Sequence, residues 1–314
     1  MNGGAPIIQI IKPFEEAFEV MKKILFQPFE LKKWFVIGFA AWLSALGGGF
    51  NYNFNMRNTN WNEVPAVQDL RDTIHQISTP VLVLCGVIAL LVIIALLIVF
   101  AWLRARGRFM FIDCVVKNRG AIAEPWREFR KQGNSYFLFA LVAGLISTVI
   151  TAAVSLPFLL PLVRSGGHPR FNNVYAICMI ALWAVVLVVL IFAWSLISHF
   201  MVMIMYRRRC LAGEAFRAAT SLIASYPGEI TLYCLFWIAL TIGAAMASCI
   251  VILGTCCVAL LPYIGTVIML PIFVCLRAFG LRFVGQFGPD YDVWVANVEA
   301  SPPAPPPIPP PLQT

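Results

Sequence analysis

His199 is the one clear ionisable side chain inside a long apolar run, in the stretch WSLISHFMV. Ser195 lies four positions before it and Ser198 one position before it. An imidazole at that depth can move a proton, hold a ligand or hydrogen-bond to a neighbouring helix, and two nearby hydroxyls suit the last role best. Glu229 stands at the start of another apolar run, where a carboxylate can reach the headgroup layer. Membrane-embedded hydrolysis needs a nucleophile with its base, paired carboxylates or a metal set. HExxH and GxSxG are absent, and no two acidic residues fall within the apolar runs. The expectation is a protein that is not an enzyme and carries no cofactor or metal.

The second set able to do chemistry is cationic. Residues Ala101–Tyr136 hold Arg104, Arg106, Arg108, Lys117, Arg119, Arg127, Arg130 and Lys131, and a second cluster is Arg207, Arg208 and Arg209. Both abut apolar runs. Arg104, Arg106, Arg108 and the 207–209 triplet are therefore expected to touch anionic lipid headgroups. A nucleic-acid partner is not expected, because no aromatic binding module accompanies the charge.

These groups need a scaffold, and the composition says which. Of 314 residues, 60% are apolar and 12% charged, far from the near-even split and quarter-charged surface of soluble domains. This is an all-α integral membrane protein. Six spans are expected, at about 34–49, 80–103, 136–163, 174–206, 230–250 and 257–276. They form a membrane domain over 1–288, and residues 289–314 form a disordered tail. The 47 residues of 230–276 carry no charge and are too long for one crossing of about 30 Å, so they must form a hairpin. Its turn is placed near Val251–Cys256, or alternatively near Pro262–Gly265. Lys and Arg number five before the first span, eight in the loop at 101–136, four after the fourth span and two after the sixth, against four in the outer segments. That bias puts both termini in the cytoplasm. The nine cysteines lie mostly in apolar runs and form no CxxC, so they read as small core residues.

Three amphipathic segments punctuate the basic side. In PFEEAFEVMKKILF, residues Phe14, Ala17, Phe18, Met21 and Leu25 fall on one helical face, and Glu19 and Lys23 are spaced to pair. A second begins at Glu124-Pro125, and a third spans 210–225 with Leu211, Ala215, Ala218 and Leu222 on one face. Glu16-Ala17-Phe18, Glu124-Pro125-Trp126 and Glu214-Ala215-Phe216 share Glu-x-aromatic. Three copies of a surface helix plus a membrane hairpin are therefore expected, with each surface helix tucked under the hairpin that follows it. The outer segment 50–79 is Asn-rich and expected to hold a short helix over 67–77.

The stretches PFEEAFEVMKKILFQPFELKKWFVIGFA, GEAFRAATSLIASYPGEI and LRFVGQFGPDYDVW carry a resemblance over most of the chain. It is similar to poorly characterised bacterial and archaeal six-span membrane proteins, including families of unknown function and the membrane domain attached to some glycerophosphodiester phosphodiesterases. The resemblance implies architecture and a prokaryotic cytoplasmic membrane. It implies no active site, because catalysis in the fused proteins belongs to a separate soluble domain. The function expected is a non-enzymatic membrane protein that binds lipid, or a protein partner, at its basic face. The alternative is a transporter or channel-like bundle with a cavity near His199 and the third and sixth spans. The SPPAPPPIPPP run is of polyproline II type and could engage a partner protein.

Overall fold

The computed structural model describes residues 8–46, 79–164, 173–255 and 261–295. The helix expected at 67–77, the outer segment around it and the SPPAPPPIPPP run lie outside the described residues. The rest is helical, with no strand among the described residues. In order, the helices are α1 Ile11–Leu25, α2 Leu31–Ala45, α3 Thr79–Val116, α4 Ala123–Glu128, α5 Arg130–Arg164, α6 Asn173–Arg208, α7 Ala212–Ser225, α8 Pro227–Gly254, α9 Pro262–Ile268 and α10 Leu270–Gly285.

Four helices are long and apolar enough to cross a membrane: α3, α5, α6 and α8. α3 runs unbroken through its arginines to Val116 and stops at Asn118, whose φ of 50° closes the helix end. α6 stops at Arg209 in the same way, with φ 55°. α2 has 15 residues, a rise of about 22 Å, which falls short of a bilayer core. α8 ends at Gly254, inside the turn region placed near Val251–Cys256. The last apolar stretch is not one helix. It breaks at Met269, because Pro271 has no N–H to give the Val267 carbonyl and its ring crowds that carbonyl, and α10 then continues to Gly285, well past residue 276.

The packed core sits at the basic end of the long helices. Phe109–Val116 of α3, Phe200–Tyr206 of α6 and Phe279, Gly280, Leu281, Phe283 and Val284 of α10 are buried, while Val81–Phe100 of α3 and most of α5, α6 and α8 beyond the core stay exposed. A helix apolar on every side and uncovered by protein is stable only where lipid covers it. α2 lies along α3, α9 against α2, and α5 against both α3 and α6.

The three amphipathic segments are helical, but their packing differs from expectation. α1 lies along α10, not under α2 and α3. Its buried side is Ala17, Met21, Ile24 and Leu25, and Phe18 stays 43% exposed beside Lys22. The stripe is rotated because α10 offers its apolar groove to the Ala17–Met21–Ile24 line, and Phe14 rather than Phe18 reaches Phe279. Glu19 pairs with Lys22, not Lys23, at 2.7 Å. α4 is a single short stretch between α3 and α5. α7 packs mainly on α6, burying Ala212, Ala215, Ala219 and Leu222 and leaving Leu211 outside as its N-cap. Pairs involving two of the motif glutamates are present: Glu16 with Arg282 at 3.4 Å and Glu124 with Arg119 at 2.6 Å.

The start of the tail is anchored. Val293 is 2% exposed, Trp294 lies under the Arg282 guanidinium at 4.0 Å, and Gln286 exchanges two hydrogen bonds with the Gln9 backbone. Residues near the two ends of the described chain thus meet on α10.

Candidate functional site

The basic stretch divides into cations that hold the protein together and cations that face a cleft. The first group centres on Asp113, fully buried in the last turns of α3. Tyr206 donates its hydroxyl to Asp113 Oδ1 at 3.1 Å, Lys117 Nζ lies 2.9 Å from the same oxygen, and Arg119 donates Nε and Nη2 to Oδ2 at 3.2 and 2.9 Å. Lys117 also reaches Glu128 at 3.1 Å, and Arg209 pairs with Glu128. Arg209 further covers the Phe129 ring at 4.0 Å, and Phe129 stacks on Tyr206 at 4.8 Å. Asp113, Glu124 and Glu128 balance Lys117, Arg119 and Arg209, so the network is neutral. Partial burial alone would lower the Arg119 guanidinium, but hydrogen bonds to Glu124 and Asp113 outweigh it and raise its pKa. No motif pointed to Asp113. Three acids, Asp113, Glu124 and Glu128, in an otherwise basic stretch were the available signal.

Several arginines expected at lipid are engaged by protein. Arg106 is 8% exposed, sandwiched over Trp102 and Trp126 at 4.5 and 4.8 Å and bonded to Asn134. Arg207 donates to the Pro289 carbonyl, and Arg208 lies over Tyr291 and 3.7 Å from Asp290. Arg207 and Arg208 therefore clasp the start of the tail, while Arg209 belongs to the Asp113 network.

Arg104 and Arg108 are different. They are i and i+4 on α3 and share one face with Ala101 and Ala105, whose small side chains leave room. Together with Tyr136 of α5 they line a cleft of about 440 Å³ whose far wall is Ile94, Leu97, Ile98 and Leu141. Arg108 donates Nη1 to the Tyr136 hydroxyl and lies 5.3 Å from that ring. Arg277 of α10 adds its charge from inside the bundle, over Phe111 at 5.6 Å and within electrostatic range of Arg108. Among the described residues no carboxylate forms an ion pair with Arg108 or Arg277. Like charges held together at the edge of an apolar layer are costly unless an anion joins them.

His199 sits one helix away. Its Nε2 is 2.9 Å from the Tyr233 hydroxyl on α8. Tyr233 is held between Phe279 and Phe283, stacked at 5.4 and 4.3 Å. Ser195 lines a small cleft of about 110 Å³ with His199, Tyr233 and Trp237, whereas Ser198 is buried and donates to the Ser195 carbonyl. His199 and Ser195 line one cleft, and Tyr233 is not marked in the sequence, because nothing in a run of apolar residues singles out one tyrosine as facing another helix. Gly280 brings α10 close: a Cβ there would lie 2.6 Å from His199 Nε2 and 2.5 Å from Met203 Cε. Gly280→Ala is expected to cost about 1–2 kcal/mol and to push His199 off Tyr233. Thermal unfolding in detergent reads the first effect, and the imidazole NMR shift the second.

The fold and the clefts define a helical membrane protein with a cationic cleft at the basic end of its long helices. A family of unknown function, DUF7544, matches residues 8–294, and the chain belongs to that family. Nothing links that family to the membrane domains of glycerophosphodiester phosphodiesterases, so that part of the resemblance is not supported. No curated protein and no solved structure matches the chain.

Proposed function

We infer that this is a non-enzymatic membrane protein that holds an anionic lipid in the cleft between α3 and α5, with the head on Arg104, Arg108 and Tyr136. The observation that carries the reading is that Arg108, which lines the cleft, has no carboxylate partner among the described residues while the cleft beyond it is lined by apolar side chains. A phosphate supplies the missing charge, and arginine binds it through paired N–H donors. Acyl chains lie along Ile94, Leu97 and Leu141.

The proposed setting is a prokaryotic cytoplasmic membrane crossed six times, with both termini inside. The first span begins in α2, and α9 with α10 form the sixth. The 19 Lys and Arg on the inner segments against 4 on the outer ones support this orientation. α9 and α10 together rise about 35 Å, which is enough for a crossing. Cysteine labelling at positions 58 and 168 from outside, and at 119 and 208 from inside, tests it. Labelling of position 58 from the inner side alone would overturn it.

The lipid reading is tested by native mass spectrometry of the purified protein with dioleoyl phosphatidate. Arg104→Gln with Arg108→Gln removes two charges worth about 1 kcal/mol each at a membrane surface, so affinity is expected to fall about thirty-fold. Gln at Arg207 and Arg208 should leave it unchanged, because those side chains bind the tail. Equal effects from the two pairs would reduce the cleft to a general surface charge.

A further inference from the structure

The two clefts share one plan. The α3 wall of the cationic cleft uses Ala101, Arg104, Ala105 and Arg108; the α6 wall of the smaller cleft uses Phe192, Ser195, Leu196 and His199. Both sets have the spacing i, i+3, i+4, i+7. The opposite walls are Tyr136, Phe137, Ala140 and Leu141 on α5, and Tyr233, Cys234, Trp237 and Ile238 on α8. Both have the spacing i, i+1, i+4, i+5. Every residue lining the smaller cleft therefore has a counterpart lining the larger one.

The bonding repeats too. Arg108 donates to the Tyr136 hydroxyl, and His199 meets the Tyr233 hydroxyl. The next residue in each case is a fully buried phenylalanine set edge-on to the same tyrosine. Phe109 lies 6.2 Å from Tyr136 at 78°, and Phe200 lies 5.5 Å from Tyr233 at 70°. A coincidence of lining, spacing, hydrogen bond and ring geometry is the mark of one unit used twice.

The differences are chemical. Serine replaces Arg104 and histidine replaces Arg108, so the strong fixed charge is gone. Trp237 replaces Ala140, filling space and bringing a donor. Its Nε1 is buried and has no acceptor among the described residues. An indole N–H shut away from water costs stability until something accepts from it. Ser195 is exposed at the mouth of the cleft, on the flank of α6 that faces lipid.

We propose that the His199 cleft is a second lipid site, a duplicate of the cationic cleft, which accepts the uncharged head of a neutral lipid through an oxygen acceptor on the Trp237 N–H beside Tyr233 and His199. The proposal rests on the lipid reading of the first cleft for its shape, and on the orphaned indole for its chemistry. Diacylglycerol is the matched probe. It carries the same chains as phosphatidate and offers hydroxyl and ester oxygens without the phosphate.

The experiment uses the full chain in zwitterionic nanodiscs with a diacylglycerol bearing a diazirine in one chain. Crosslinks are expected on α6 and α8 peptides, competed by excess dioleoylglycerol and not by dioleoyl phosphatidate. Trp237→Phe keeps the ring and removes the donor, and should cut labelling about ten-fold. Ser195→Phe closes the mouth from an exposed position and should abolish labelling even if Trp237→Phe unfolds the protein. Retained phosphatidate binding controls for the fold in both variants. Labelling that survives both substitutions, or that phosphatidate competes as well, overturns the proposal. Arg104→Gln with Arg108→Gln must leave diacylglycerol labelling intact while phosphatidate binding falls. If phosphatidate binding persists in that variant, the reading of the first cleft fails and the second is judged on its own.

Discussion

Asp113→Ala is expected to destabilise the protein by about 3–5 kcal/mol, more than any other single charge removal in the chain. The carboxylate is fully buried and receives the Tyr206 hydroxyl, the Lys117 ammonium and the Arg119 guanidinium. Removing one partner of a buried ionic cluster leaves the others desolvated and uncompensated, which is why breaking such a cluster costs far more than a surface pair returns. Asp113→Asn should fall between, because an amide keeps a hydrogen bond to Tyr206 and loses the charge. A double-mutant cycle with Arg119→Ala isolates the pair: the joint loss should be smaller than the two single losses added. Denaturant unfolding in detergent measures all four species. A loss below about 1 kcal/mol for Asp113→Ala would show that Lys117 and Arg119 simply turn to solvent.

The same network sets an acid limit. Partial burial alone would raise the Glu128 carboxyl, but hydrogen bonds from Arg209 and Lys117 outweigh it and hold the folded pKa below the usual value. A depressed carboxylate contributes stability above its unfolded value of about 4.3, and the contribution is lost as pH falls through the lower folded value. Glu128→Gln should flatten that part of the stability profile and leave neutral-pH lipid binding unchanged.

The long helices were legible from hydropathy, because a membrane demands runs of apolar residues and the basic clusters mark where they end. α6 starts and stops close to the expected 174–206, whereas α3 runs past residue 103 to Val116 and α5 begins at Arg130, ahead of residue 136, because a helix does not end where its apolar run ends. α8 was legible as the first part of the uncharged stretch 230–276. What hydropathy could not show is rotation. Ala17 and Met21, rather than Phe18, face the core because α10 and not α2 lies beside α1, and that pairing joins residues more than 250 positions apart. The break at Met269 was equally hidden, since Pro271 near an apolar run reads as tolerated. For the sites, the arginines were visible as types and invisible as partners. Arg104 and Arg106 are two residues apart, yet one lines a cleft and the other is wedged between Trp102 and Trp126. Only the helix rotation of about 100° per residue and the neighbours on α4 and α5 separate them.

The contact that fixes α3 against α2 yields the second large effect. Gly107 lies between Arg106 and Arg108, and a Cβ on it would stand 2.7 Å from the Leu43 carbonyl carbon and 2.8 Å from the Ser44 nitrogen. Both obstacles are backbone, so no rotamer change relieves them and the helices must part. Gly107→Val is expected to cost about 3 kcal/mol, the upper range of overpacking, against which a better helix former returns at most about 1 kcal/mol. Gly38 is the contrast on the other side of α2. A Cβ there meets the Val267 Cγ2 at 2.6 Å, with the Val267 backbone farther away at 3.4 Å. Clearing it takes a shift of one Val267 methyl rather than of backbone, so Gly38→Ala should cost about 1 kcal/mol, less than Gly107→Val. Parting α2 from α3 also moves Arg108, which follows Gly107 directly, and Leu46, which closes the cationic cleft from the α2 side. Gly107→Ala, the milder change, should therefore weaken phosphatidate binding while the protein remains folded, and leave diacylglycerol labelling at His199 alone. Denaturant unfolding and native mass spectrometry on the three glycine variants decide it. If Gly107→Val is no worse than Gly38→Ala, the α2–α3 crossing is not as close as the structure places it, and the position of Arg108 in the cleft loses its support.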